Sequence, residues 1–171
     1  MDTVADIVSG RSFCDLGCSR GDVLELACCA GASRVAGVES DPKKVAVARS
    51  RGFDVLLGDY RVCKLPTAEV FYVWHGNGRI IRRVLRRLTT EDSCSVARYL
   101  LVGADGTRRI EVKKLFDIST AWPSTIRYFE FDEPGAPDEP DATIHMDRLK
   151  GKFYVGVFYL DVARREKKWP V

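Results

Sequence analysis

The residues best suited to chemistry stand together at Asp15-Leu-Gly-Cys-Ser-Arg-Gly21, where a short apolar strand (Phe13 to Leu16) runs into an apolar helical stretch from Val23 to Ala30. Glycines at 17 and 21 let the backbone bend sharply and approach a ligand where a Cβ would intrude. A strand-to-helix turn also aims backbone N–H groups and the positive end of the helix at whatever is bound. Glu39 ends the next strand-like run, Arg34 to Glu39, where a carboxylate can accept both hydroxyl protons of a ribose. Asp59 follows Gly58 after a third run, Phe53 to Leu57, and is placed to meet an adenine amino group. Three acidic residues thus end three successive strands at one edge, and ligands of open α/β sheets bind at that carboxyl edge.

The elements that must position these residues follow from periodicity and punctuation. Residues 2–9 read as a helix stopped by Gly10, and Asp41-Pro42 supplies an N-cap and a first-turn proline for the helix closed by Gly52. Val70 to Trp74 is a fourth strand, Arg79 to Leu88 an amphipathic helix, and Val96 to Val102 a fifth strand. Gly103 to Phe116 fits either a hairpin turned at Asp105-Gly106 or a helix. Ile126 to Phe131 and Lys152 to Val162 read as strands with no helix signal between them, which predicts an antiparallel pair. Apolar strands separated by helices imply a parallel sheet covered on both faces.

The whole pattern resembles the class I S-adenosylmethionine-dependent methyltransferases, whose first motif, often DLGCGxG, stands here as DLGCSRG with Ser19 at a usual glycine position. The resemblance spans residues 12–74 and is architectural beyond. It implies a doubly wound, three-layer α/β/α fold on a mostly parallel seven-stranded sheet, order 3-2-1-4-5-7-6, with the last strand antiparallel. The cofactor it implies is S-adenosyl-L-methionine, in a Rossmann-like domain. Gly17, Cys18, Ser19 and Gly21 would form the turn beside the methionine part, with Asp15 near it. Glu39 would hold the ribose and Gly58-Asp59 the adenine, with Ser40 and Tyr60 flanking. Trp74 and Tyr72 pack around the cofactor or in the core. A dinucleotide-binding reading needs glycine at position 22, where Asp22 instead puts a carboxylate in the place a pyrophosphate would dock.

Catalytic residues of such enzymes follow the fourth strand, here Trp74-His75-Gly76-Asn77-Gly78. His75 could serve as a general base and Asn77 could orient an amine or carbonyl; alternatively Asn77-Gly78 makes a turn and His75 is a loop residue. The segment carries neither the [DNS]-PP-[YFW] motif of amino-methylating families nor a Cys–Pro pair.

With 171 residues, one domain is expected, 1–95 forming a cofactor half and 96–171 a C-terminal half with the antiparallel pair. No appended lid is expected, so the acceptor is read as a protein (lysine among the candidates), a nucleic acid or another exposed polar group rather than an enclosed small molecule. No apolar run approaches the ~20 residues of a membrane span, so no membrane partner is expected. Six cysteines without a CxxC pair, and two histidines, point to a reduced cytoplasmic protein with no metal site. The net charge of +3 hides polarity: residues 79–114 hold ten basic and four acidic residues, while 130–147 hold seven carboxylates and no Lys or Arg. The face formed by Arg79, Arg82, Arg83, Arg86 and Arg87 reads as a solvated surface or as a site for RNA or an acidic partner. The latter supports an alternative function, a methyltransferase-like interaction module without catalysis. The acidic stretch reads as a flap, an attractor for a basic substrate or a disordered loop.

Overall fold

The computed structural model describes residues 4–74, 78–104, 126–131 and 153–160. Helices and strands alternate except between β3 and β4, which a loop joins: α1 (Val4–Val8), β1 (Ser12–Leu16), α2 (Asp22–Cys29), β2 (Arg34–Glu39), α3 (Pro42–Ser50), β3 (Asp54–Leu57), β4 (Val70–Trp74), α4 (Gly78–Thr90) and β5 (Tyr99–Ala104). The five strands form a parallel sheet in the order β3-β2-β1-β4-β5. Two further strands, β6 (Ile126–Phe131) and β7 (Phe153–Tyr159), pair antiparallel with each other, and β7 pairs antiparallel with β5. The register sets Asp15 level with Gly37 of β2 and Tyr72 of β4, and Trp74 level with Gly103 of β5.

Strand alternation divides the core in two. Phe71, Val73, Leu100 and Val102 face α4, whose Ile81, Val84, Leu85 and Leu88 are all buried against them. Phe13, Val55, Val70 and Leu101 face the other way, onto Ile7, Leu24, Val45 and Ala48 of α1, α2 and α3. Each Val, Leu, Ile or Phe among them, fully removed from water, contributes roughly 1.5–3 kcal/mol before entropy is counted. Helices therefore cover both faces of the parallel sheet, a three-layer arrangement.

Local signals explain most boundaries. The Asp41 side chain accepts a hydrogen bond from Lys43 N at 2.9 Å and Pro42 opens α3. Helix α4 runs past the expected Leu88 to Thr90, both threonine hydroxyls donating back to carbonyls of the preceding turn. The fifth strand begins at Tyr99, not Val96, which is a correction. A 3-10 turn at Asp92–Cys94 intervenes, Val96 is exposed, and Arg98 N and Tyr99 N both donate to Glu69 O beside the start of β4. Phe53 likewise stays outside β3, its N–H closing α3 on Ala48 O. Strand β7 is described over Phe153–Tyr159 and ends before Leu160, while Lys152, Asp161 and Val162 of the expected strand lie outside the described residues. The ambiguous stretch beyond Ala104 and the acidic stretch 132–147 lie outside the described residues. No described helix is long and apolar enough to cross a membrane.

Candidate functional site

Strand β1 delivers its chain into the glycine turn at the carboxyl edge of the sheet. Gly17 (φ +92), Ser19 (φ +52) and Gly21 (φ +94) all take left-handed backbone. The turn is anchored to β2, with Gly17 N and Cys18 N both donating to Val38 O at 2.7 and 3.1 Å. Gly21 is required twice over. Its φ disfavours a side chain, and an added Cβ would sit 2.7 Å from the Phe53 ring. Ser19 is the costlier choice at its position, since a non-glycine residue in this region is strained by about 1–2 kcal/mol. The strain is offset by Ser19 N donating to Glu39 Oε2 at 2.9 Å.

Glu39 organises the edge. It is 7% exposed, and its Oε1 accepts from Ser40 N (2.8 Å) and Asp41 N (2.9 Å) while Oε2 accepts from Ser19 N. A carboxylate has about four acceptor positions, so three backbone donors leave room for a ligand hydroxyl. The Ser40 hydroxyl lies 3.4 Å from Oε1.

Helix α2 starts at Asp22 without a side-chain cap at Gly21, so its first-turn N–H groups face the same edge. Arg51, at the end of α3, steadies this start. It donates to Arg20 O (2.7 Å) and pairs with Asp22 (2.6 Å) and Glu25 (2.7 Å).

Asp15 is 2% exposed, and no cation or hydrogen-bond donor among the described residues reaches its carboxyl. Burial, then the charges of Glu39 and Asp22, pushes it up to about 8. Burial, then Asp15, pushes the neighbouring Tyr72 phenol up as well. A buried carboxylate is stabilised by a cationic ligand.

The loop after β3 closes the far side. Gly58 N donates to Glu39 O at 2.9 Å, and the Tyr60 ring lies over Gly17, 3.6 Å from where a Cβ would stand. Asp59 is partly exposed and held by Arg61, whose backbone N and Nε reach Oδ1 at 2.9 and 2.8 Å and whose Nη2 reaches Oδ2 at 2.6 Å. The Arg61 hydrogen bonds hold the Asp59 carboxyl below the usual range. Arg87 of α4 pins the loop from below, donating to Tyr60 O, to Cys63 O at 2.7 Å and to both Glu91 oxygens.

Of the expected site residues, Asp15, Gly17, Ser19, Gly21, Glu39, Ser40, Gly58, Asp59 and Tyr60 gather around this edge. Cys18 offers only its backbone. Its side chain is buried against Gly37, whose added Cβ would meet Sγ at 2.5 Å, and burial pushes the thiol up to about 12. Trp74 ends β4 at the same edge, 41% exposed, with its ring beside Gly103. His75 and Asn77 lie outside the described residues. Among the described residues, no group of three or more His, Cys, Asp or Glu could hold a metal ion. Sequence reasoning missed Arg61 and misassigned Arg87. The Asp59-x-Arg61 spacing was a legible signal for the first, whereas the inward turn of Arg87 depends on carbonyls 24 and 27 residues away.

No family profile and no curated protein matches the sequence. Solved structures do match in shape. The methyltransferase domain of bacterial CtHen1 superposes with a TM-score of 0.59 at 13% identity, covering 91% of this chain and 93% of that one. Magnesium protoporphyrin IX methyltransferase from Synechocystis PCC 6803, solved with SAM bound, gives 0.58 at 16% identity over 91% and 74%. A putative RNA methyltransferase from Pyrococcus horikoshii gives 0.55 at 17% identity over 91% and 77%. The chain has the fold of the class I S-adenosylmethionine-dependent methyltransferases.

Proposed function

From a chain with this fold, we infer an S-adenosylmethionine-dependent methyltransferase that acts on a macromolecular or otherwise exposed polar nucleophile. The observation that carries the reading is the set of three strand-end carboxylates around an uncapped helix start, with Asp15 buried and unmatched by any described cation. In support, the five parallel strands run in the order β3-β2-β1-β4-β5, as the resemblance implies for that part of the sheet.

The site suits a cofactor that is cationic at sulfur and carries no phosphate. Asp22 and Glu25 occupy the first turn of α2, where a pyrophosphate would be repelled. Asp15 would face the methionine end, Glu39 would accept from the ribose through its remaining capacity, and Asp59 would take the adenine amino group once Arg61 yields part of it. When bound, the cofactor supplies an electrophilic methyl group. The protein's part is alignment of the acceptor, with Gly17 and Gly21 permitting close backbone approach and Tyr60 closing the cleft over the turn. His75 and Asn77, which follow Trp74, are the proposed groups for taking the acceptor's proton and orienting it.

Calorimetric titration with S-adenosylhomocysteine is expected to give a micromolar dissociation constant that Glu39→Ala and Asp59→Ala each weaken. Absence of binding to the unmodified protein would overturn the reading. A lysate incubated with methyl-labelled cofactor should show label in a macromolecular fraction that depends on added protein.

A further inference from the structure

The expected five-arginine face of α4 does not exist as such. Arg87 is turned inward, and Arg82 is half-buried with its Nε unbonded among the described residues. What remains outside is a stripe of Arg79, Arg83 and Arg86, all exposed. At a rise of about 1.5 Å per residue, spacings of four and three put one guanidinium on each successive turn of one side. No acidic residue interrupts α4. The stripe lies on the helix that packs against the candidate site, because Arg87 of α4 donates to Tyr60 O and Cys63 O in the loop that carries Asp59. Lys64, exposed, follows in that loop.

We propose that this stripe binds the phosphodiester backbone of a nucleic acid and that the strand it holds is the methyl acceptor. As an acceptor assignment it rests on the methyltransferase reading; as a binding surface it stands without it. Two observations favour phosphate over an acidic protein. Every apolar side chain of α4 is buried or packed against the core, so the helix itself offers no aromatic or aliphatic anchor of the kind that dominates protein interfaces. Nucleic-acid interfaces are instead polar and strongly positive. The cations of α4 are all arginine, whose planar fork suits two phosphate oxygens at once. A strand lying on the stripe would run from Arg86 toward Arg79 and the start of α4, delivering a nucleotide to the carboxyl edge.

The test is fluorescence anisotropy of a labelled 20-nucleotide oligouridine against the full chain, between about 50 and 300 mM salt. The unmodified protein should bind with a negative slope of log affinity against log salt. The triple variant R79Q/R83Q/R86Q should bind roughly 30-fold more weakly at low salt, with the slope flattened by about 2, at ~0.7 per phosphate contact. The triple Arg→Lys variant should keep most of the slope, which separates charge from helix integrity. An unchanged slope in the glutamine variant overturns the proposal, as does a polyglutamate peptide that competes as well as the oligonucleotide at equal charge. Titration of the same glutamine variant with S-adenosylhomocysteine should match the unmodified protein. If the unmodified protein binds the oligonucleotide through these arginines but no cofactor, the methyltransferase reading fails and the surface stands. Cofactor binding without arginine-dependent oligonucleotide binding sinks the surface and leaves the enzyme.

Discussion

Replacing Glu39 by glutamine tests whether one carboxylate both builds the site and serves it. In the native arrangement three backbone N–H groups converge on it, from Ser19, Ser40 and Asp41, at 2.8–2.9 Å. A glutamine can keep its oxygen toward Ser40 and Asp41, but its amide nitrogen then faces the Ser19 N–H, donor against donor. One charge-assisted bond is lost, worth about 1.5–3 kcal/mol, and two others drop to neutral strength, about 0.5–1 kcal/mol each. The expected loss is about 3 kcal/mol of stability. At ~2–4 °C per kcal/mol for a chain of this size, the melting temperature should fall by about 6–12 °C. The ribose-facing acceptor disappears with the charge, so binding of S-adenosylhomocysteine should weaken by roughly 10- to 100-fold. Ser40→Ala is the control, since its hydroxyl makes only a 3.4 Å contact with the same carboxylate and its loss should change stability by under ~0.5 kcal/mol. Urea unfolding followed by circular dichroism gives the first quantity and calorimetry the second. A glutamine variant as stable as the parent would refute the role of Glu39 in tying the turns. Unaltered ligand affinity would refute its contact with the ribose.

The glycine turn makes a paired prediction. Gly21→Ala forces a Cβ toward the Phe53 ring in a left-handed conformation and should destabilise by at least ~2 kcal/mol, whereas Ser19→Gly relieves strain and should be neutral or stabilising by up to ~1 kcal/mol; equal urea midpoints for the two would contradict both. Asp15 predicts a pH effect of definite sign: unfolded, it ionises near 3.8, but folded it keeps its proton to about 8, so the folded state binds more protons between those values. Stability should therefore fall with rising pH by about 1.4 kcal/mol per unit from this group, levelling above about 8, and Asp15→Asn should remove that slope. Parallel pH–stability profiles for parent and variant between pH 5 and 7 would reject it.

Much of the candidate site's geometry was legible because its signals are local. Glycine spacing in Asp15–Gly21, a carboxylate at each strand end and the Asp41-Pro42 helix start depend on neighbours a few residues away, where backbone sterics and hydrogen-bond geometry act. The fifth strand was displaced by three residues because apolar alternation cannot see that Glu69 O captures the N–H groups of Arg98 and Tyr99. Cys18, read as a ligand neighbour from its place in the motif, turns inward because β2 presents Gly37 beneath it.

The arginines mark the division most clearly. Sequence by itself determined that α4 has an apolar face and a basic face, since 3.6-residue periodicity and burial are enough to orient it. It also determined that acids would end β1 and β2 and follow β3 at one edge, because parallel strands joined by helices share their direction. Only the tertiary structure decided what each charge does there. It set Arg87 beneath the Tyr60 loop, Arg61 on Asp59, three N–H groups on Glu39 and no described cation beside Asp15. Those assignments depend on distances between segments remote in sequence, and the strength of a charge's interactions is set by burial and by such distances.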